Sequence, residues 1–234
     1  MSADRIRRHV YGRRQGHKLH PRQAGLVADM LPALRVPQAP FDPAGLFGVP
    51  PQSVALEIGF GGGEHLARKA ALEPYTGFIG CEPFLNGVAK LLMEIEAQSL
   101  GNIRIHDNDA RDLMEWLPDA CLDRIYLLYP DPWPKTRHHK RRFIVPDNLQ
   151  QFFRILKPNG ELMVASDIPH YIMWTLSHIR QHGGFAWQAG AADDWRLPPP
   201  GWQPTRYEQK ALREGRTPTY LYFRRLAARG PAAL

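Results

Sequence analysis

The sequence predicts an α/β protein built on a doubly wound, mostly parallel sheet of seven strands, with helices on both faces. Three observations carry this. Apolar runs alternate with amphipathic segments from residue 53 to about 187. A glycine cluster follows the first of those runs, and Leu122–Tyr129 is almost continuously apolar, the pattern of a strand buried on both faces. A chain of 234 residues suffices for one such domain and is short for two.

The elements follow in order. Residues 1–52 are basic and then proline-rich (Pro32, Pro37, Pro40, Pro43, Pro50, Pro51), which reads as an arm and linker with a short helix around Gln23–Leu31. Ser53–Ile58 is the first strand, and Glu64 to Leu72 a helix. Gly77–Cys81 is the second strand, Phe84–Gln98 has helical apolar spacing, and Asn102–His106 alternates as a third strand. After the buried fourth strand, Leu149–Leu156 reads as a helix that stops at the breaker Lys157-Pro158-Asn159-Gly160. Glu161–Ala165 is a fifth strand, Tyr171–His182 a helix, Phe185–Gln188 and Thr219–Arg224 late strands around a Pro-rich loop at Leu197–Pro204. The domain spans residues 53–225, and residues 226–234 form a tail.

No run approaches the roughly 18 apolar residues of a membrane helix, and the basic N-terminus lacks the apolar core of a secretory signal. The two cysteines, Cys81 and Cys121, are not a C-x-x-C pair, which disfavours structural zinc or disulfides and suits a reducing cytoplasm. The net charge of +7 is uneven. Seven Lys/Arg residues fall in the first 22 positions (Arg5, Arg7, Arg8, Arg13, Arg14, Lys18, Arg22), and five more crowd Lys135–Arg142 without an acid. That distribution points to a polyanion such as nucleic acid.

The segment Leu56-Glu57-Ile58-Gly59-Phe60-Gly61-Gly62-Gly63-Glu64 places four glycines in five residues after the first strand. Glycine lets the backbone approach a ligand closely and accept positive φ. The dinucleotide pattern G-x-G-x-x-G fails, because the sixth residue from Gly59 is Glu64. Two acids, Glu57 and Glu64, bracket the turn; they are poor company for a pyrophosphate and suit a ligand with ammonium and sulfonium charges. The pattern of Glu57, Gly59, Gly61 and Gly63 resembles the first motif of class I S-adenosylmethionine methyltransferases. Glu82, at the end of the second strand, is placed to accept ribose hydroxyls, and Asp109 follows the third strand, where the adenine edge would lie.

Tyr129-Pro130-Asp131-Pro132-Trp133-Pro134-Lys135 is the most specific stretch. In a doubly wound sheet ligands bind beyond the carboxyl ends of the strands at the switch point, which strands one and four flank. Asp131, stiffened by two prolines, therefore faces the methyl of the cofactor. The basic run behind it, Lys135 with Arg137, His138, His139, Lys140, Arg141 and Arg142, supplies phosphate contacts. Adjacent histidines point apart, so no metal site is expected.

The strand-four motif with its basic run is similar to the signature of bacterial tRNA (guanine-N7)-methyltransferases. Glu82, Asn108-Asp109-Ala110, Ala165-Ser166-Asp167 and Thr205-Arg206-Tyr207-Glu208 follow in that family's order, from about Arg5 to Phe223. The resemblance implies a Rossmann-like class I methyltransferase fold and S-adenosyl-L-methionine as cofactor, held at Glu57, Glu82, Asp109 and Asp131. It implies catalysis at Asp131, and substrate contacts at Lys135, Asp167, Thr205, Arg206, Tyr207 and Glu208. RNA contacts would run along Arg137–Arg142, and methyl transfer would go to guanine 46 of the tRNA variable loop.

Guanine N7 carries a lone pair and no proton, so its attack needs no general base. The protein must align N7, carbon and sulfur and tolerate charge on the ring. Asp131, and Asp167 beside it, are candidates to hold the base N–H groups and offset that charge. Two other readings stay open on the residues alone. A non-catalytic RNA-binding module explains the charge but not the acids in register. A methyltransferase for small molecules or DNA explains the pocket but not the basic run.

Overall fold

A computed structural model describes residues 14–228. Arg5, Arg7, Arg8 and Arg13 of the basic arm, and residues 229–234 of the tail, lie outside the described residues. The sheet has seven strands in the order β3-β2-β1-β4-β5-β7-β6: β1 (Ser53–Ile58), β2 (Thr76–Cys81), β3 (Ile103–His106), β4 (Leu122–Leu128), β5 (Leu156–Ser166), β6 (Phe185–Trp187) and β7 (Thr219–Arg225). The first five pair in parallel, and β7 runs antiparallel between β5 and β6. The mostly parallel, Rossmann-like arrangement expected from the β-α alternation is present.

Both faces of the sheet are covered. Alternation along β4 sends Ile125 and Leu127 into one core and Tyr126 and Leu128 into the other. On the first face lie α5 (Ala110–Trp116), α6 (Pro146–Ile155) and α7 (Pro169–His182), burying Leu113, Phe152 and Tyr171. On the second lie α1 (Pro21–Asp29), α3 (Glu64–Leu72) and α4 (Leu85–Gln98); α4 buries Val88, Leu91, Leu92 and Ile95 at the i, i+3, i+4, i+7 spacing of one helical stripe. The short α2 (Leu31–Leu34) and α8 (Asp193–Arg196) and the amphipathic α9 (Arg206–Arg213) complete the helices among the described residues.

Three differences from the sequence reading have local causes. Lys157-Pro158-Asn159-Gly160 does end a helix, at Ile155, but the strand runs on through it: Asn159 takes φ 65° and the pairing with β4 shifts register there. The segment read as a linker packs on the sheet, since Val36 N–H donates to Ile105 O at 3.0 Å and Val36 and Phe47 are buried. Helix α5, at seven residues, is too short to show an apolar period in the sequence. Among the described residues no helix is long and apolar enough to cross a membrane.

Candidate active site

Beyond the carboxyl ends of β1 and β4, where the strand order reverses, lies a cavity of about 460 Å³. One wall is the glycine turn after β1. Gly59, Gly61 and Gly63 have φ of 73°, 57° and 81°, where a Cβ is unwelcome. Gly59 N–H donates to Cys81 O at 2.7 Å and ties the turn to the end of β2. A Cβ on Gly87, in the first turn of α4, would stand 2.1 Å from the Gly61 carbonyl oxygen. Only glycine at 87 lets that helix close on the turn.

Glu82 braces the same turn. Its Oε2 accepts from Gly61 N–H and its Oε1 from Phe84 N–H, each at 2.9 Å. Burial raises its pKa; the two N–H groups oppose the rise, and the charges of Asp131 and Glu57 add to it. Asp109 caps α5, its Oδ1 accepting from Arg111 N–H at 3.0 Å and Arg111 Nε at 2.9 Å, with Arg111 Nη2 2.8 Å from Oδ2. Asp131 projects at the cavity mouth just past β4. It reaches solvent, yet the surrounding walls desolvate it enough to hold its pKa above the usual carboxylate range. Neither Glu82 nor Asp131 is in an ion pair among the described residues, so a cationic ligand finds two uncompensated carboxylates.

The opposite wall is the N-terminus of α9. Thr205 caps it, Oγ1 accepting from Glu208 N–H at 3.2 Å. Arg206 Nη2 donates to Glu64 Oε1 at 2.6 Å, and the Tyr207 ring lies against Gly61. The Pro-Asp-Pro-Trp loop and a 3-10 turn at Thr136–Arg141 make the rim. Lys135, Arg137 and Lys140 are exposed there. His138 meets the Trp133 ring edge-on at 5.8 Å, and the Arg141 guanidinium lies 4.9 Å over the same ring.

Gly59, Gly61, Glu82, Asp109, Asp131, Arg206 and Tyr207 thus line one cavity. Arg141 lines it too, and several other expected residues do not. Glu57 is buried behind the turn, its Oε2 2.6 Å from His65 Nδ1, and Gly63 packs against Leu91. Asp167 accepts from Arg216 Nε at 2.5 Å. Glu208, at 2% exposure, accepts from Trp202 Nε1 at 2.8 Å and from the Tyr220 hydroxyl. Within the run Arg137–Arg142, expected to contact RNA, the inner members pack inward. His139 turns against His170 and Trp174, and Arg142 is 2% exposed. Among the described residues no group of His, Cys, Asp and Glu is placed to hold a metal ion. Sequence reading missed Arg111, which the N-cap at Asp109 could have signalled, and Gly87, which nothing local marks.

A family described as "Putative methyltransferase" matches residues 51–221. A tRNA (guanine-N(7)-)-methyltransferase of Mesorhizobium japonicum is 54% identical over 216 residues, covering 91% of this chain and 93% of its own. One of the same name from Rhizobium meliloti is 54% identical over 218 residues, covering 92% and 94%. The chain belongs to the tRNA (guanine-N7)-methyltransferase family. Solved structures agree on the fold alone. TrmN from Thermus thermophilus superposes with a TM-score of 0.53 at 18% identity over 75% of this chain and 45% of its own. A SAM-dependent O-methyltransferase from Thermotoga maritima gives 0.52 at 13% over 92% and 69%.

This methyltransferase depends on S-adenosylmethionine, and the cavity suits it. Its lining fits such a cation: Glu82 and Asp131 carry carboxylates outside any ion pair among the described residues, and the left-handed glycines leave that wall free of side chains. Its volume lies within the range of small-molecule sites, roughly 300–1,000 Å³.

Proposed function

We propose that this enzyme methylates N7 of a guanosine in tRNA, at position 46 of the variable loop, in the cytoplasm. The observation that carries the reading is a juxtaposition: Asp131 lines the cavity, and the exposed cations Lys135, Arg137 and Lys140 follow it within nine residues. A polyanion held on that rim presents a base to the cavity, with phosphates supplying affinity.

When bound, S-adenosylmethionine supplies an electrophilic methyl group. The chain's own residues do the rest. The glycine turn, Glu82 and Asp109 hold the cofactor end of the cavity. Asp131 accepts from N–H groups of the base and offsets the positive charge that appears on the ring. Tyr207 and Trp133 wall the mouth and exclude water. No residue has to remove a proton, since N7 has none.

The test is tritium transfer from labelled S-adenosylmethionine into bulk tRNA, followed by nucleoside analysis and borohydride–aniline cleavage. The reading expects 7-methylguanosine and a single cut in the variable loop. A cut elsewhere refutes the position, and label in another nucleoside or in none refutes the substrate.

A further inference from the structure

The run Lys135–Arg142 looks uniform in sequence but is divided by its packing. Its last member, Arg142, is 2% exposed and turned under the loop that carries Asp131. Its Nε donates to Pro132 O at 2.8 Å and its Nη2 to Trp133 O at 3.3 Å; Nη2 also lies 3.0 Å from His170 Nδ1. The guanidinium carbon sits 4.6 Å over the Trp174 ring and 5.7 Å from the Tyr171 ring, both on α7. Aromatic faces and two carbonyls thus take the place of a carboxylate partner.

Those two carbonyls belong to the residues that follow Asp131. The loop there is bracketed by two non-glycine residues in the left-handed region, Tyr129 at φ 50° and Trp133 at φ 39°. Such a backbone persists only where its surroundings over-determine it. On the Tyr129 side the determinant is the sheet, through Tyr129 N–H to Ala165 O at 2.8 Å. On the Trp133 side it is Arg142 below the backbone, helped by Arg141 over the indole. We propose that Arg142 is a positioning residue for methyl transfer: it clips the Asp131 loop to the first turn of α7 and contacts no RNA. The inference rests on the reading of Asp131 as the residue that serves the reacting base.

The reason for an arginine follows from geometry. A guanidinium presents donors in a rigid fork and can serve two successive carbonyls while its flat face lies on an aromatic ring; an ammonium cannot do both. Displacement of a reacting group by about 1 Å can cost on the order of a hundredfold in rate. Loss of the clip should therefore act on the chemical step and leave the binding surfaces intact.

The experiment compares R142A, R142K and D131N in single-turnover methyl transfer at saturating tRNA and S-adenosylmethionine. Binding of each ligand and the salt dependence of tRNA binding are measured alongside. R142A should lose about a hundredfold in rate, with both dissociation constants and the salt slope within twofold of the parent. Millimolar guanidinium should restore part of the R142A rate and none of the D131N rate. R142K, which keeps the charge and the fold, should recover only a fraction. If R142A does not fold, R142K alone decides, by a rate loss without a change in tRNA affinity. A full rate in R142A or R142K overturns the proposal, as does a salt slope that falls by the value of one neutralised phosphate. A loss that guanidinium does not rescue and that cofactor binding shares also overturns it, as a merely structural effect. If D131N itself turns over at the parent rate, the fault lies with the reading of Asp131 and not with the clip.

Discussion

The two halves of the active site solve the same backbone problem differently. After β1 the chain turns through left-handed φ at Gly59, Gly61 and Gly63, residues for which that region carries little penalty. After β4 it turns through the same region at Tyr129 and Trp133, which have side chains. The glycine half is tied to the end of β2: Glu82 binds the N–H groups of Gly61 and Phe84, and Gly59 bonds to Cys81 O. The Asp131 half is held by a buried side chain, Arg142, ten positions from Pro132 and itself packed on the aromatic residues of α7. A ligand site made of glycine needs little besides its own backbone. A loop that must carry a carboxylate and an indole outward borrows its conformation from the packing beneath it.

The largest effect should come from the side chain that only the borrowed half provides. D131N keeps the shape and removes the charge; its single-turnover rate should fall by about 10²–10³, the usual cost of deleting one preorganised electrostatic group. tRNA affinity should hold. The wild-type rate should stay flat from neutral to mildly alkaline pH, because no proton leaves N7. A steep profile would assign Asp131 to proton transfer instead.

The glycine half should fail by overpacking. G87A puts a methyl group 2.1 Å from the Gly61 carbonyl oxygen, so the turn or α4 must shift, at about 1–3 kcal/mol. A calorimetric titration should show weaker S-adenosylmethionine binding and a lower Tm. Unchanged values would mean that the turn is softer than its glycines suggest.

E82A should weaken cofactor binding by about 1–3 kcal/mol, the range for a charged hydrogen-bond partner. Its pH dependence has a definite sign. The pKa values of Glu82 and Asp131 are raised in the fold. The stability they contribute is therefore present below the ordinary carboxylate range and is lost as pH rises through the folded values. A sulfonium ligand prefers the ionised forms, so its affinity should climb as pH rises through the raised titration range of these two groups. The demethylated product, lacking that charge, should show a shallower climb, and E82Q should flatten both. Equal slopes for the two ligands would remove charge from the explanation.

The smallest effect belongs to the rim. R137A with K140A should lower the log–log salt slope of tRNA binding by nearly one unit for each phosphate no longer neutralised, and leave cofactor affinity unchanged. A slope that stays put would move the RNA path away from this turn.

The sequence by itself determined the frame and the chemistry it encloses. The almost continuous apolar run of β4 required burial on both faces. The β-α order required parallel pairing and hence a switch point, and the glycine cluster followed by Glu82 marked one wall of the cavity there. Those signals are legible because periodicity, strand-end position and glycine act within a few residues of themselves. Partner choice was decided only by the tertiary structure. Glu57 went to His65 and not to the cavity; Glu208 went to Trp202 and Tyr220; Asp167 went to Arg216, 49 positions away. Arg142 sits beside cations that face solvent, yet it turned under the Asp131 loop. A charged side chain takes the nearest group that compensates its loss of water, and which group is nearest is fixed by how helices and strands pack.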